Sequence, residues 1–276
     1  MKILKIIIFI NLLVLTETTI AQDFEVSPAS LKYIIDPFEN NIKLVNITNH
    51  SNKNTLFKLS YADFIFNIEG KLETVAAKST ENSCIDWLMP DQDVFEIKPN
   101  ETFQLKINML VPTEDYKDRW GYIYIQTSRE QTAFDVEKET SRTGLNMQAR
   151  IAIEVIRIPK TQQQNDITIN SLKEIEDIEK TEENKDKKIF TALVENKGTK
   201  IHECEVTFIA SDLSNAKEYE FEAIKIKSYP GFPREVKFVL PSTLPNGEFS
   251  FAALLDYGNK AIIEGTRLNK SLIIVK

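Results

Sequence analysis

Apolar residues recur at every second position through much of this chain. In LNMQARIAIEV (145–155) the alternation is unbroken: Leu145, Met147, Ala149, Ile151, Ile153 and Val155 fall on one side. That periodicity belongs to a strand with one face against apolar material. A typical strand is about five or six residues long, so half of this stripe needs cover beyond an ordinary core. Shorter runs of the same kind are LKYII (31–35), NIKLVNIT (41–48), TLFKLSYADF (55–64), DVFEI (93–97), TFQLKINMLV (102–111) and YIYIQT (122–127). After the polar stretch TQQQND (161–166) come ITINSL, KIFTALVEN, ECEVTFIA, EYEFEAIKI, REVKFVL, EFSFAALLDY and SLIIVK. Helical periodicity is absent over any convincing length. Short β-branched and aromatic runs punctuated by Asn, Gly, Pro and Asp predict an all-β chain built of sandwiches.

The runs follow one order twice. NITNHSN (46–52) follows an early strand, then come Pro99, an alternating strand, Pro112, and Gly121 leading into YIYI. VENKGTK (194–200) follows an early strand, then come Pro230, REVKFVL, Pro241, and Gly247 leading into FSFAALLDY. The repetition predicts two tandem immunoglobulin-like domains at 22–160 and 165–276, meeting near Pro159. The charged run SLKEIEDIEKTEENKDKK (171–188) reads as a solvated loop between the first two strands of the second domain.

Residues 1–21 depart from the pattern. Lys2 and Lys5 precede the apolar stretch IIIFINLLVL, and Thr19-Ile20-Ala21 closes it with small residues. This is the layout of a secretory signal peptide cut before Gln22. Its apolar run of about ten residues is half of what a bilayer requires. No later segment is apolar enough to span a membrane, so an exported protein without a transmembrane segment is expected.

Composition narrows the function. In 276 residues, 42% hydrophobic content supports real cores, and a net charge of −7 gives no basic excess for nucleic acid. Cys84 and Cys204 are the only cysteines, read either as one bridge or, preferably, as two separate buried thiols. His50 and His202 fall at polar strand ends in different halves, so neither a catalytic triad nor a zinc set is indicated. Asp63, Asp86 and Asp256 supply carboxylates, but nothing pairs them across a cleft as glycoside hydrolysis requires. A non-enzyme without metal or cofactor is expected. Trp120, Tyr122 and Tyr124 alternate onto one face, which allows either carbohydrate stacking or ordinary core packing.

Several stretches together resemble the PapD-like periplasmic chaperones of pilus assembly. VSPASLKYII (26–35) is similar to that family's opening strand, and NIKLVNITNHSN with LFKLSYADF to its second and third. VFEIKPNETFQLKINMLVP resembles its strand–Pro–turn–strand segment, and RIAIEVIRIP (150–159) its last first-domain strand. KGTKIHECEV and LPSTLPNGEFSFAALLDYG are similar to its second domain. The resemblance implies two immunoglobulin-like domains and a non-enzymatic, periplasmic role. It implies binding of a protein partner, a pilin-like subunit or another envelope protein, by β-strand addition along 145–155. Leu145, Met147, Ala149 and Ile151 then meet the partner strand, and Lys32 with Arg150 are the candidates for anchoring its terminal carboxylate. Ala152 stands where the family has a lysine. The alternative expectation is a structural, adhesive or carbohydrate-binding tandem sandwich of the cell envelope.

Overall fold

The computed structural model describes residues 23–128, 149–175, 188–259 and 262–274. The signal peptide reading, Leu145, Met147 and most of the charged run therefore lie outside the described residues. The first sandwich contains β1 (Phe24–Ser27), β2 (Ser30–Ile34), β3 (Asn40–Asn49), β4 (Thr55–Phe66) and β5 (Leu72–Ala76). It continues with β6 (Leu88–Pro90), β7 (Val94–Ile97), β8 (Thr102–Leu110), β9 (Arg119–Ser128) and β10 (Arg150–Ile158). One sheet runs β1-β3-β8-β6 and the other β2-β10-β9-β4-β5, with β7 also pairing β4. The alternation places Phe57, Leu59, Ile123, Ile125, Ile153 and Val155 of one sheet against Val45, Ile47, Leu105 and Ile107 of the other. Each sheet thus buries one face, as the period of two requires.

The second sandwich contains β11 (Ile167–Glu174), β12 (Ile189–Asn196), β13 (His202–Asp212), β14 (Glu218–Glu220) and β15 (Ile224–Ser228). After these come β16 (Arg234–Val239), β17 (Gly247–Asp256), β18 (Glu264–Arg267) and β19 (Leu272–Ile274). Its sheets are β11-β12-β16 and β14-β13-β17-β18, with β15 on β13 and β19 on β17. Phe190, Val194, Val206, Phe208, Phe249 and Phe251 fill the space between them.

The sequence repeat corresponds to a repeated structural device. At the end of β3, Asn49 donates through Nδ2 to Lys53 O (2.8 Å) and Ile97 O (2.9 Å), and its Oδ1 accepts from Ser51 N (3.0 Å). At the end of β12, Asn196 donates to Lys200 O (2.8 Å) and Ser228 O (3.1 Å), and accepts from Gly198 N (3.1 Å). Both side chains are buried. In each sandwich one amide closes the turn and satisfies carbonyls that burial would otherwise leave unpaired.

Five strands depart from the sequence reading or add to it. EYEFEAIKI is two strands, β14 and β15, which pair with separate stretches of β13. The short strands β5, β6 and β18 lie at sheet edges, where one-sided contact demands little hydrophobic alternation.

The sandwiches meet on aromatic rings. Phe64, Trp120 and Ile156 from the outer face of the first pack against Tyr229 of the second, with Phe66, Tyr122, Ile158, Ile201 and Phe232 around them. Trp120 is fully buried and its Nε1 donates to Phe64 O (3.0 Å). Its ring meets Tyr229 edge-on at 5.0 Å. The β4–β5 hairpin adds a strap: Ile68 O accepts from Glu235 N at 2.7 Å, at the start of β16.

Candidate functional site

Among the described residues, the sheet order leaves one edge open at a specific place. β2 runs parallel to β10 and covers it only from Glu154, opposite Ser30, to Ile158, opposite Ile34. On its other side β10 pairs with β9 from Arg150 to Arg157. Among the described residues, the first part of β10 therefore has a strand on one side and none on the other.

The hydrogen bonds tell which groups face that open side. Glu154 N donates to Ala29 O (3.1 Å), and Ile158 O accepts from Ile35 N (3.0 Å). Ala149 O instead accepts from Thr127 N of β9 (3.3 Å). Even-numbered residues of β10 thus turn their main-chain groups toward β2, and odd-numbered residues toward β9. The N–H and C=O of Arg150 and Ala152 consequently face the uncovered edge. Unpaired ladder groups of this kind are a template for another strand.

Side chains along the edge change character with distance. Ile153 and Val155 are fully buried, Ile151 is half-buried against the same core, and Ala149 is exposed. The core face of β10 emerges from the sandwich where β2 ends. Across the lip, β1 offers Val26, also only partly buried against this core.

The outer face carries the charges. Arg150 is exposed and lays its guanidinium 4.4 Å from the centre of the Tyr124 ring. Lys32 is exposed on β2, level with Ile156. In register the two cations stand six residues apart along β10, about 20 Å at strand rise. Lys32 and Arg150 are therefore not brought together around one carboxylate, as the sequence reading had expected. Between them is Glu154, half-buried, with Tyr229 Oη at 3.5 Å and Lys227 Nζ at 3.7 Å from the second sandwich. Sequence reasoning missed Lys227 and Tyr229, because only the docking of the sandwiches carries them to β10.

The remaining candidates resolve as structural parts. Asp63 is buried and accepts from Ser79 N, Thr80 N, Thr80 Oγ1 and Ser83 Oγ, between 2.7 and 3.2 Å. It organises the loop that reaches Trp120, whose N–H donates to Asn82 O. Asp86 pairs with Lys78 at the surface (2.5 Å), and Asp256 is exposed on the other sandwich. No carboxylate pair faces a cleft among these. Cys84 and Cys204 are free and buried in separate cores; burial pushes both thiols up, Cys204 to about 12. Among the described residues no group of His, Cys, Asp and Glu is arranged to hold a metal ion. No helix among them is long and apolar enough to cross a membrane. Burial of Trp120 also removes it from any sugar-stacking face.

No protein-family model matches the chain, and no curated protein matches it. Solved structures do match. A chain from a study of a chaperone–tip adhesin complex in CFA/I fimbriae biogenesis aligns over 92% of this chain and 99% of its own, at 14% identity and a TM-score of 0.52. The class 5 fimbriae chaperone CfaA aligns over 92% and 98%, at 15% identity and a TM-score of 0.48. A chain of the CsuC–CsuE pre-assembly complex from Csu pili of Acinetobacter baumannii aligns over 89% and 98%, at 12% identity and a TM-score of 0.44. The chain has the PapD-like chaperone fold, two immunoglobulin-like sandwiches in tandem.

Proposed function

We propose that this protein is a non-enzymatic, chaperone-like binder of a fimbrial or other envelope polypeptide, acting in the periplasm by strand addition on β10. The observation that carries this reading is the uncovered edge of β10 ahead of Glu154, where Arg150 and Ala152 present main-chain groups beside an emerging apolar face. A partner strand laid there continues the line of β2. Its main-chain groups bond to β10, and its side chains meet Ala149 and Ile151, with Leu145 and Met147 extending the same alternation in the sequence. Arg150 at the open end and Lys32 on β2 serve as separate contacts for anionic groups of the partner in this reading. A structure that shares the fold comes from a study of a chaperone–tip adhesin complex, which favours a protein partner.

The test is capture of a partner from the native periplasm by the tagged protein, with mass spectrometry of what is retained. Ala149 is exposed, so Ala149→Asp puts a carboxylate into the groove without disturbing the core. A polypeptide held by the wild type and lost by a folded Ala149→Asp variant supports strand addition. Retention at the wild-type level by that variant would remove the groove from the reading.

A further inference from the structure

Between the two sandwiches lies a carboxylate that β10 and the cleft do not use. Asp118 immediately precedes β9 and is 1% exposed. One oxygen accepts from Gln163 Nε2, on the connection between sandwiches, at 2.6 Å. The other accepts from Ile201 N of the second sandwich at 2.8 Å. Its own N–H donates to Thr199 O, again of the second sandwich, at 2.8 Å. One residue thus holds three segments: the start of β9, the connection, and the turn before β13. The far side of that connection is pinned by Asp36, which accepts from Lys160 N (2.8 Å), Thr161 N (3.2 Å) and Thr161 Oγ1 (3.2 Å).

We propose that Asp118 is a proton-operated latch that sets how firmly the second sandwich is docked on the first. Docking encloses its carboxylate, whereas separation would return it to water. Burial is the main influence and raises its pKa to about 6; the bond from Ile201 N, the charges of Lys200 and Arg157, and the bond from Gln163 oppose the rise. The other charged groups here are committed elsewhere. Arg157 donates to Asp115 and to Ile35 O, and Arg119 also pairs with Asp115. His202, next to Ile201, is buried, with its pKa lowered chiefly by burial and then by Lys200.

The sign follows from linkage. A carboxyl whose pKa is higher when docked favours docking once protonated, and that benefit is lost as pH rises through about 6. Mild acid therefore tightens the junction. In the protonated state Ile201 N keeps its acceptor. The Gln163 amide, turned over, accepts the new O–H through Oε1.

The amide hydrogen of Ile201 reports the latch directly, because Asp118 is its acceptor. Its protection against exchange in the full protein, corrected for intrinsic rate, is expected to rise about tenfold from pH 7 to pH 5. Asp118→Asn mimics the protonated form and should hold protection high and nearly flat over that range. Asp118→Ala should lower it at both pH values. His202 is present in all three proteins, so its titration cancels in the comparison. A wild type and an Asp118→Asn variant with the same pH dependence would overturn the proposal, even if Asp118→Ala failed to fold. The measurement needs no partner, so its outcome is independent of strand addition.

Discussion

Replacing Ala152 with proline separates the edge of β10 from its interior. The N–H of Ala152 faces the side that β2 leaves uncovered, so a proline ring there removes a donor with no strand beside it among the described residues. The chain already runs extended on both sides, and proline narrows the unfolded ensemble, so the net change in stability should stay within about 1 kcal/mol. The same change one residue on, at Ile153, strikes the ladder to β9 and a fully buried side chain. That substitution should cost roughly 2–5 kcal/mol. For a partner strand the order reverses. Ala152→Pro deletes a main-chain bond worth about 1 kcal/mol, and the ring intrudes on the approaching backbone. Affinity should therefore fall by about tenfold or more. Urea denaturation measures the first quantity, and surface-immobilised binding of the partner recovered with wild-type protein measures the second. If Ala152→Pro keeps both its midpoint and its affinity, the partner does not add as a strand at this edge. If it unfolds like Ile153→Pro, the orientation assigned to its N–H is wrong.

Other expectations concern the frame around that edge. Asn49→Ala and Asn196→Ala should each destabilise by about 1–3 kcal/mol, since each orphans buried carbonyls; similar losses in parallel denaturation curves would confirm the two devices as equivalent. Trp120→Ala should cost about 3–5 kcal/mol and, because its ring joins both sandwiches, should split a single thermal transition into two by calorimetry. Burial alone would raise the Asp115 pKa, but the bond from Arg119, the Lys117 N–H and the charge of Arg157 outweigh it and leave it below 3.8. Stability from that carboxylate is present above its unfolded value and lost as pH falls through the folded one. Acid unfolding below about pH 4 should therefore be less steep in Asp115→Asn, read by circular dichroism.

Strands with strong alternation were legible because burial and pattern agree in them. β3, β8 and β13 lie within a residue or two of their apolar runs. The repeat was legible through Asn49 and Asn196, whose polarity marks a turn even before their shared bonding is visible. Strands that touch the core lightly were not legible; β5 exposes nearly its whole length. Of the run 145–155, only the core half could be checked: Ile153 and Val155 are buried, as their place in the alternation suggests. The separation of Lys32 from Arg150 could not, because it depends on the register of a parallel pairing between segments more than a hundred residues apart. Lys227 and Tyr229 were equally hidden, since no local pattern encodes the face on which a second domain lands.

Among the described residues, the edge of β10 is open because the first strand of the sandwich is divided. Residues 24–27 pair with β3 in one sheet, and 30–34 pair with β10 in the other. Had the chain entered the second sheet at residue 24, β2 would have reached along β10 past Arg150 and closed it. The switch at Ser27–Pro28 instead spends the first residues on the opposite sheet. It leaves Arg150 and Ala152 uncovered at the point where the core face changes from Ile153, fully buried, to Ala149, exposed. The cleft side of the same strand is closed by Glu154, against Lys227 and Tyr229. A strand arriving along the edge thus meets an apolar, unpaired stretch bounded at Ser30 by β2 itself. Lengthening β2 should compete with any partner: grafting extended residues ahead of Ser30 ought to raise stability and abolish capture together, which a purely adhesive sandwich would not do.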